Sequence, residues 1–247
     1  MPFFDLPSLL FILCPAFAAA LSAGFRQDTW PRVSAVLLPV GQLGMTIGLM
    51  HMLAKMDNPE HFWPAFFVAT LTVIYAATMK LGVQSMASHK AGLLPSAPTG
   101  QLGYGALVVF GVVILAAITI PGEILNFIDI PAIVWVGGAT ALAYFLPGQV
   151  QRVGFLPALT RILPWTGILA MIIASVGMFL CRHEPQQIGP WVAFGLLSYL
   201  YTNLIWVGAI LLKPTRAQRN GEAFQWVHMI TGVAVMSGMF GSIAYFF

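Results

Sequence analysis

Charged residues are scarce in this sequence. Only 8% of its 247 residues are Asp, Glu, Lys or Arg, whereas 59% are hydrophobic. A soluble domain carries about 25% charged residues, so a surface this poor in charge could not stay dissolved in water. The composition therefore excludes a soluble globular domain and predicts a protein whose solvent is the lipid bilayer.

Cysteine and catalytic motifs are scarce as well. The two cysteines, Cys14 and Cys181, are predicted at mid-membrane and near the outer rim, so a disulfide between them is not expected. No nucleophile–base set, phosphate-binding loop or Cys-x-x-Cys motif occurs, and the histidines lack ligand-spaced neighbours. The sequence therefore predicts no enzyme activity, no cofactor and no metal site.

Long apolar runs dominate the chain instead. A run of about 20 apolar residues spans the hydrocarbon core as a helix, because backbone groups in lipid must pair within the segment. The runs are continuous, whereas strands of a transmembrane barrel alternate over about 10 residues. The predicted fold class is an all-α, polytopic integral membrane protein with about eight transmembrane helices. The predicted spans are 6–24, 33–54, 62–83, 102–121, 130–147, 162–181, 188–212 and 225–247.

The distribution of basic residues predicts the orientation. If the N-terminus lies outside, every Lys and Arg except Lys55 and Arg182 falls in or beside an inner loop. Cytoplasmic loops of membrane proteins are enriched in Lys and Arg. We therefore predict that both termini lie outside. The formal charge of +3 follows from this sorting and gives no reason to invoke nucleic acid.

The two halves of the chain share motifs at a nearly constant spacing. The segment "FDLPSLLFILCPAFAAAL" at 4–21 matches "IDIPAIVWVGGATALAYF" at 128–145. The segment beginning "MTIGLMHMLAKMDNPEHFWP" at 45 likewise matches the one beginning "MIIASVGMFLCRHEPQQIGP" at 171. We predict two four-helix repeats, 1–124 and 125–247. Because four crossings return the chain to the same side, the repeats should be parallel, although their fourth helices match only in hydropathy and glycine content.

Three segments resemble a known family. The stretch "LGMTIGLMHMLAKMDNPEHFWPAFFVATLTVIYAATMKL" resembles the third and fourth transmembrane helices of MotA, in the MotA/TolQ/ExbB proton-channel family. The stretch "NFIDIPAIVWVGGATALA" resembles the second helix, and "YGALVVFGVVILAAI" stands where the first would be. The chain would therefore be a tandem, circularly permuted version of the family's helices, and its predicted orientation agrees with that of the family.

The resemblance implies a function in energy transduction. Such subunits surround the single transmembrane helix of a partner similar to MotB or ExbD, in a larger complex of the bacterial inner membrane. The partner's intramembrane Asp carries the proton, which fits the lack of any Asp or Glu within the predicted spans of this chain. The implied role is a contribution to a proton or sodium path, with both termini in the periplasm.

Two departures from the family favour a second hypothesis, a non-conducting scaffold or accessory subunit. The position of the family's pore-facing hydroxyl holds Val73 in one repeat and Tyr199 in the other, and Thr72 and Ser198 precede these by one residue. One residue rotates a side chain by about 100° around a helix. The large cytoplasmic domain of MotA is also missing. A third hypothesis is a small-solute transporter with helices broken at proline.

Polar residues within the spans are the candidates for an ion path. A hydroxyl usually bonds to a carbonyl one turn earlier in its own helix, whereas an unpaired amide in hydrocarbon costs several kcal/mol. Small residues allow close helix packing or contact with a partner helix. The ion-path candidates are Thr46, Thr70, Thr72, Ser198 and Asn203. The packing or partner-contact candidates are Gly41, Gly44, Gly48, Ser237 and Gly241. His228 is predicted at the membrane interface.

Overall fold

The computed structural model describes residues 5–25, 29–53, 62–88, 101–119, 124–145, 155–212 and 222–246. These residues form eight α-helices and one short 3-10 segment, and they contain no strand. The helices are α1 (Leu6–Ser22), α2 (Thr29–Leu53), α3 (Phe62–Ser88), α4 (Gln101–Thr119), α5 (Ile130–Phe145), α6 (Phe155–Leu180), α7 (Pro185–Leu212) and α8 (Glu222–Phe246), with the 3-10 segment at Ile124–Phe127 before α5.

The helix lengths agree with a multi-pass membrane protein. Seven apolar helical segments are long enough to cross a membrane, and α1 is a shorter apolar helix of 17 residues. The predicted all-α class is therefore confirmed. The sixth predicted span differs most from its helix, because α6 begins at Phe155 rather than at residue 162.

Two aspartates cap helices in the same way. The Asp5 carboxylate accepts a hydrogen bond from the Ser8 N–H at 2.8 Å and begins α1. The Asp129 carboxylate likewise accepts a hydrogen bond from the Ala132 N–H at 2.8 Å, at the start of α5. A side-chain acceptor at this position satisfies one of the amide groups that a helix N-terminus leaves unpaired. Both helix starts are therefore defined locally by the sequence.

Prolines lie inside α2 and α6 without ending either helix. Pro39 lacks an N–H, so it leaves the Ala35 carbonyl without its usual donor in the helix. That carbonyl accepts a hydrogen bond from the Gln225 side chain of α8 at 3.4 Å. Pro164 is likewise within a continuous α6. The broken helices that the transporter hypothesis requires at these prolines are therefore not observed.

The helices α2 and α7 form the centre of the bundle. Nearly all of α2 is buried, by contacts with α1, α3, α7 and α8. Helix α7 contacts α2, α4, α5 and α6. Helices α4 and α5 expose most of their apolar surface, which suits contact with lipid or with other transmembrane helices. Polar groups placed on the facing sides of α2 and α7 therefore lie deep inside the protein.

Small residues bring neighbouring helices into close contact. A Cβ atom added at Gly48 of α2 would lie 2.7 Å from the Cβ of Ala69 on α3. A Cβ added at Gly195 of α7 would lie 2.7 Å from the Cβ of Ala174 on α6. Real Cβ atoms do not approach this closely, so a side chain at either position would separate the two helices.

Candidate functional site

The three predicted ion-path threonines bond to backbone carbonyls. Thr46 donates to the Gln42 carbonyl at 2.8 Å, and Thr70 donates to the Phe66 carbonyl at 2.8 Å. Thr72 lies between α2 and α3, where its hydroxyl is 2.7 Å from the Ala69 carbonyl and 3.1 Å from that of Gly41. All three hydroxyls thus donate to backbone carbonyls of helices, as Ser and Thr hydroxyls commonly do.

Ser198 and Asn203 of α7 are placed differently. Both are buried. The Asn203 amide nitrogen donates to the Tyr199 carbonyl at 2.8 Å, but its Oδ1 atom and the Ser198 hydroxyl have no hydrogen-bond partner within the described ranges. A buried polar atom without a partner costs about 1–3 kcal/mol. These two residues are therefore stronger candidates for a polar path than the threonines.

A third buried side chain with an unsatisfied polar atom is on α2. Gln42 is fully buried, and its Nε2 atom makes a long hydrogen bond of 3.4 Å to the backbone carbonyl of His228 in α8. Its Oε1 atom is unsatisfied among the residues that the structure describes. The unsatisfied atoms of Gln42, Ser198 and Asn203 thus belong to α2 and α7, the two central helices of the bundle.

His228 is buried among aromatic rings instead of lying exposed at the interface. Its ring stacks on that of Tyr199, with centroids 5.6 Å apart and planes inclined by 14°. Trp206 contacts it edge-on at 5.1 Å, and Phe224 stacks at 6.3 Å. The Nε2 atom lies 3.0 Å from the Pro164 carbonyl of α6, whereas Nδ1 has no partner in the described part of the chain.

Gly232 allows a tyrosine hydroxyl to reach the backbone of α8. A Cβ atom at this position would overlap the Tyr199 hydroxyl and would lie 3.2 Å from the Gln42 Nε2 atom. The Tyr199 hydroxyl is buried and interacts with the Asn203 side chain, but it makes no well-aligned hydrogen bond among the described residues. The hydroxyl and the Gln42 amide therefore both approach the α8 backbone at Gly232, one helical turn beyond His228. We call Gln42, Tyr199, Asn203 and His228 the polar cluster.

Sequence reasoning missed the contribution of α8 to this cluster. Gln225, His228 and Gly232 have the spacing of residues on one face of a helix, and this spacing is visible in the sequence. The sequence does not show that the face packs against α2 and α6, because those residues are more than 60 positions away.

A buried lysine lies near the cluster. Lys80, at the end of its predicted span, is fully buried and donates hydrogen bonds to the Ser34 carbonyl at 2.9 Å and to Gln225 Oε1 at 2.5 Å. Burial of a charge is costly unless oxygen atoms replace its hydration. Lys80 and Gln225 together join α3, α2 and α8.

The predicted small residues fall into two groups. Gly41, Gly44 and Gly48 pack against α3 within the chain. On α8, in contrast, Ser237 is exposed, and a Cβ atom added at Gly241 would meet no described atom within 4 Å. The second group therefore leaves a surface on which another helix can pack.

Metal ligands are not clustered in the part of the chain that is described. No group of three or more His, Cys, Asp or Glu residues could hold a metal ion there, and both cysteines have free thiols. Comparison with known proteins gives no match: no family model, no curated protein and no solved structure matches this chain. The resemblance to the MotA/TolQ/ExbB family stays a prediction that depends on the sequence motifs.

Proposed function

We propose that this chain is a MotA/TolQ/ExbB-like membrane subunit that surrounds the single transmembrane helix of a partner and contributes to a proton or sodium path. The observation that carries the proposal is the set of unsatisfied polar atoms on Gln42, Ser198 and Asn203. Polar groups inside a membrane protein are costly and mark ion pathways. A purely structural core would have no use for three such atoms between its central helices.

Recurring contacts support the proposed duplication. Gly48 and Ala69 meet across α2 and α3, and the residues 126 positions later, Ala174 and Gly195, meet across α6 and α7. The backbone N–H of Asp5 donates to Tyr75 at 3.0 Å, and that of Asp129 donates to Tyr201 at 3.3 Å. These pairs favour equivalent packing of the first three helices in each repeat.

The fourth helices do not share this equivalence. Helix α4 packs on α1 and α7, whereas α8 packs on α2 and α6. Helix α8 thus contacts α2 and α6, the second helices of the two proposed repeats. Its residues Ser237 and Gly241 are exposed. In the proposed complex, this open small-residue face is where the partner helix, which carries the intramembrane Asp, packs.

The test is potential-driven proton or sodium flux into vesicles that contain the chain and its copurified single-span partner. We expect Asn203→Leu and Ser198→Ala to reduce the flux, since each removes an unsatisfied acceptor from the path. Thr78→Ala is the matched control, because Thr78 is exposed on α3 and its hydroxyl donates to the Ile74 carbonyl of the same helix. Absence of flux with the wild-type complex intact contradicts the proposal.

A second candidate function is a non-conducting scaffold in a larger membrane complex. The observation in its favour is that the hydroxyls of Thr46, Thr70 and Thr72 are satisfied within the chain and that the glycine face of α2 is filled by α3. For a scaffold, Asn203→Leu has no effect on the complex, whereas Gly241→Leu releases the partner. Copurification and flux, measured on the same two variants, separate the two functions.

A further inference from the structure

We infer that His228 is an intramembrane proton-binding site supplied by this chain, with Nδ1 as the atom that takes up and releases the proton. The inference rests on the proposed ion path and deepens it, because it assigns a titratable group to this subunit in addition to the Asp expected on the partner. Three features carry it: the tautomer of the ring, the groups around it and the position of the ring between helices.

The tautomer follows from the contact with Pro164. A carbonyl oxygen can only accept, so the Nε2 atom at 3.0 Å must carry the hydrogen. In a neutral imidazole the other nitrogen then has a free lone pair. That nitrogen, Nδ1, is buried and has no hydrogen-bond partner among the described residues. The contact with α6 therefore leaves the lone pair of Nδ1 free to accept a proton.

The surrounding groups suit a transient positive charge. The ring stacks on the face of Tyr199 at 5.6 Å, and aromatic faces attract cations. Two unsatisfied oxygen atoms, the Tyr199 hydroxyl and Gln42 Oε1, belong to the side chains that meet at Gly232. Such oxygens are able to accept hydrogen bonds from an N–H group, whereas a core lined only by hydrocarbon is not.

The charged and titratable groups on the neighbouring helices are few. Helix α3 contributes Lys80, which is bonded to Gln225 three residues before His228. Helix α7 contributes Tyr199, and α2 contributes the neutral Gln42 and, ten residues earlier, the buried Arg32, which donates to the Ser22 carbonyl of α1. On α6, Arg161 is exposed, one turn before Pro164. A like charge on Lys80 disfavours a permanent charge on His228, and a transfer site has to release its proton.

Proton uptake and proton release both occur at Nδ1, so the two steps balance. A proton from the aqueous side adds to the Nδ1 lone pair and gives an imidazolium that keeps its Nε2–H bond to Pro164. Loss of the same proton from Nδ1 restores the neutral ring. The imidazole does not need to rotate, because the Nε2–H group stays on the carbonyl throughout.

The first experiment detects the site directly. The full-length chain, with ¹⁵N-labelled histidine, is placed in lipid nanodiscs, and the ring nitrogens are followed by nuclear magnetic resonance as the pH is lowered. His228→Gln identifies the signals. We expect a neutral Nε2–H tautomer that becomes doubly protonated on acidification. A neutral Nδ1–H tautomer, or a ring that never binds a second proton, overturns the inference.

The second experiment measures transport in vesicles that contain the chain and its partner. We expect His228→Gln to lower proton flux by about 100-fold, the lower limit for the loss of a proton-transfer group. His183→Gln is the control, since His183 is exposed in the turn between α6 and α7. Tyr199→Phe keeps the stacked ring and removes one oxygen, so it tests the cluster if the His228 variant does not fold.

The outcomes distinguish the inference from the proposed function. If His228 titrates as expected but the wild-type complex carries no flux, the site exists and the proposed function is wrong. If the flux persists in folded His228→Gln, the complex conducts by another route and the inference is wrong. If the flux is lost in both His228→Gln and Tyr199→Phe but not in His183→Gln, both are supported.

Discussion

At the scale of single residues, glycine and histidine positions have the largest consequences. Gly232 gives the Tyr199 hydroxyl and the Gln42 amide access to the α8 backbone, and His228 bonds to the Pro164 carbonyl. Each contact joins α8 to another helix through a polar atom. The hydrogen bonds of Gln42 and His228 help to define how α8 is oriented, because rotation of the helix would break them inside hydrocarbon.

Gly232→Ala tests this close approach. Its Cβ atom would overlap the Tyr199 hydroxyl and lie 2.9 Å from the Tyr199 Cζ atom, so we expect a loss of about 1–3 kcal/mol in the free energy of unfolding. Gly238→Ala on the same helix is the control, because its Cβ meets no described atom within 4 Å. Thermal unfolding in detergent measures both. Equal stability of the two variants would show that the helices are not this close.

Gln225→Leu tests the anchor of the buried lysine. The substitution removes one acceptor of Lys80, which keeps the Ser34 carbonyl, and it removes the donor to the Ala35 carbonyl, so we expect a loss of about 1.5–3 kcal/mol, the range for a hydrogen bond to a charged group. Gln186→Leu, at an exposed position of α7, should unfold as the wild type does. If Gln225→Leu retains wild-type stability in detergent, Lys80 is not held by this contact.

At the scale of helices, the two sets of small residues have different roles. The glycines of α2 hold α3 within the chain, while on α8 Ser237 is exposed and a Cβ atom at Gly241 would meet no described atom within 4 Å. Sequence alone gives the same pattern for both, since small residues at a spacing of three or four form a flat face on any helix. The face that remains open is determined by the path of the chain, which places α3 against α2.

Gly44→Leu tests the internal face. Its side chain would meet Thr72 of α3 at 2.9 Å or less, so we expect the hairpin of α2 and α3 to separate and the yield of folded chain to fall sharply. Gly82→Leu on α3 is the control, as no described atom lies within 4 Å of its Cβ. Size-exclusion chromatography of the purified variants reports the folded fraction. A normal profile for Gly44→Leu would contradict the packing.

At the scale of the whole molecule, the bundle has a buried polar centre and a wide apolar surface. Helices α2 and α7 are enclosed, whereas α4 and α5 are largely exposed. This distribution is the one expected when lipid replaces water around the protein, since apolar exposure has no cost in hydrocarbon. The same surface leaves room for neighbouring subunits of a complex.

Thiol labelling tests the orientation of the whole chain. In a Cys14→Ser background, a membrane-impermeant maleimide added to sealed bacterial cells should label Cys181, which lies in the turn after α6, because that turn is predicted outside. A cysteine introduced at Arg216, in the predicted inner loop between α7 and α8 and outside the described residues, should react only after permeabilisation. The opposite pattern would reverse the topology and place both termini in the cytoplasm.

The sequence by itself indicated a lipid environment and determined the all-α class and the approximate positions of the helices. These properties follow from composition and from the pattern of neighbouring residues, so they can be predicted from the sequence alone. Only the tertiary structure decided that His228 is buried on the Pro164 carbonyl and that Gln42 and Tyr199 meet at Gly232. Those contacts join positions 33 to 190 residues apart, and no local pattern specifies which faces of distant helices pack together.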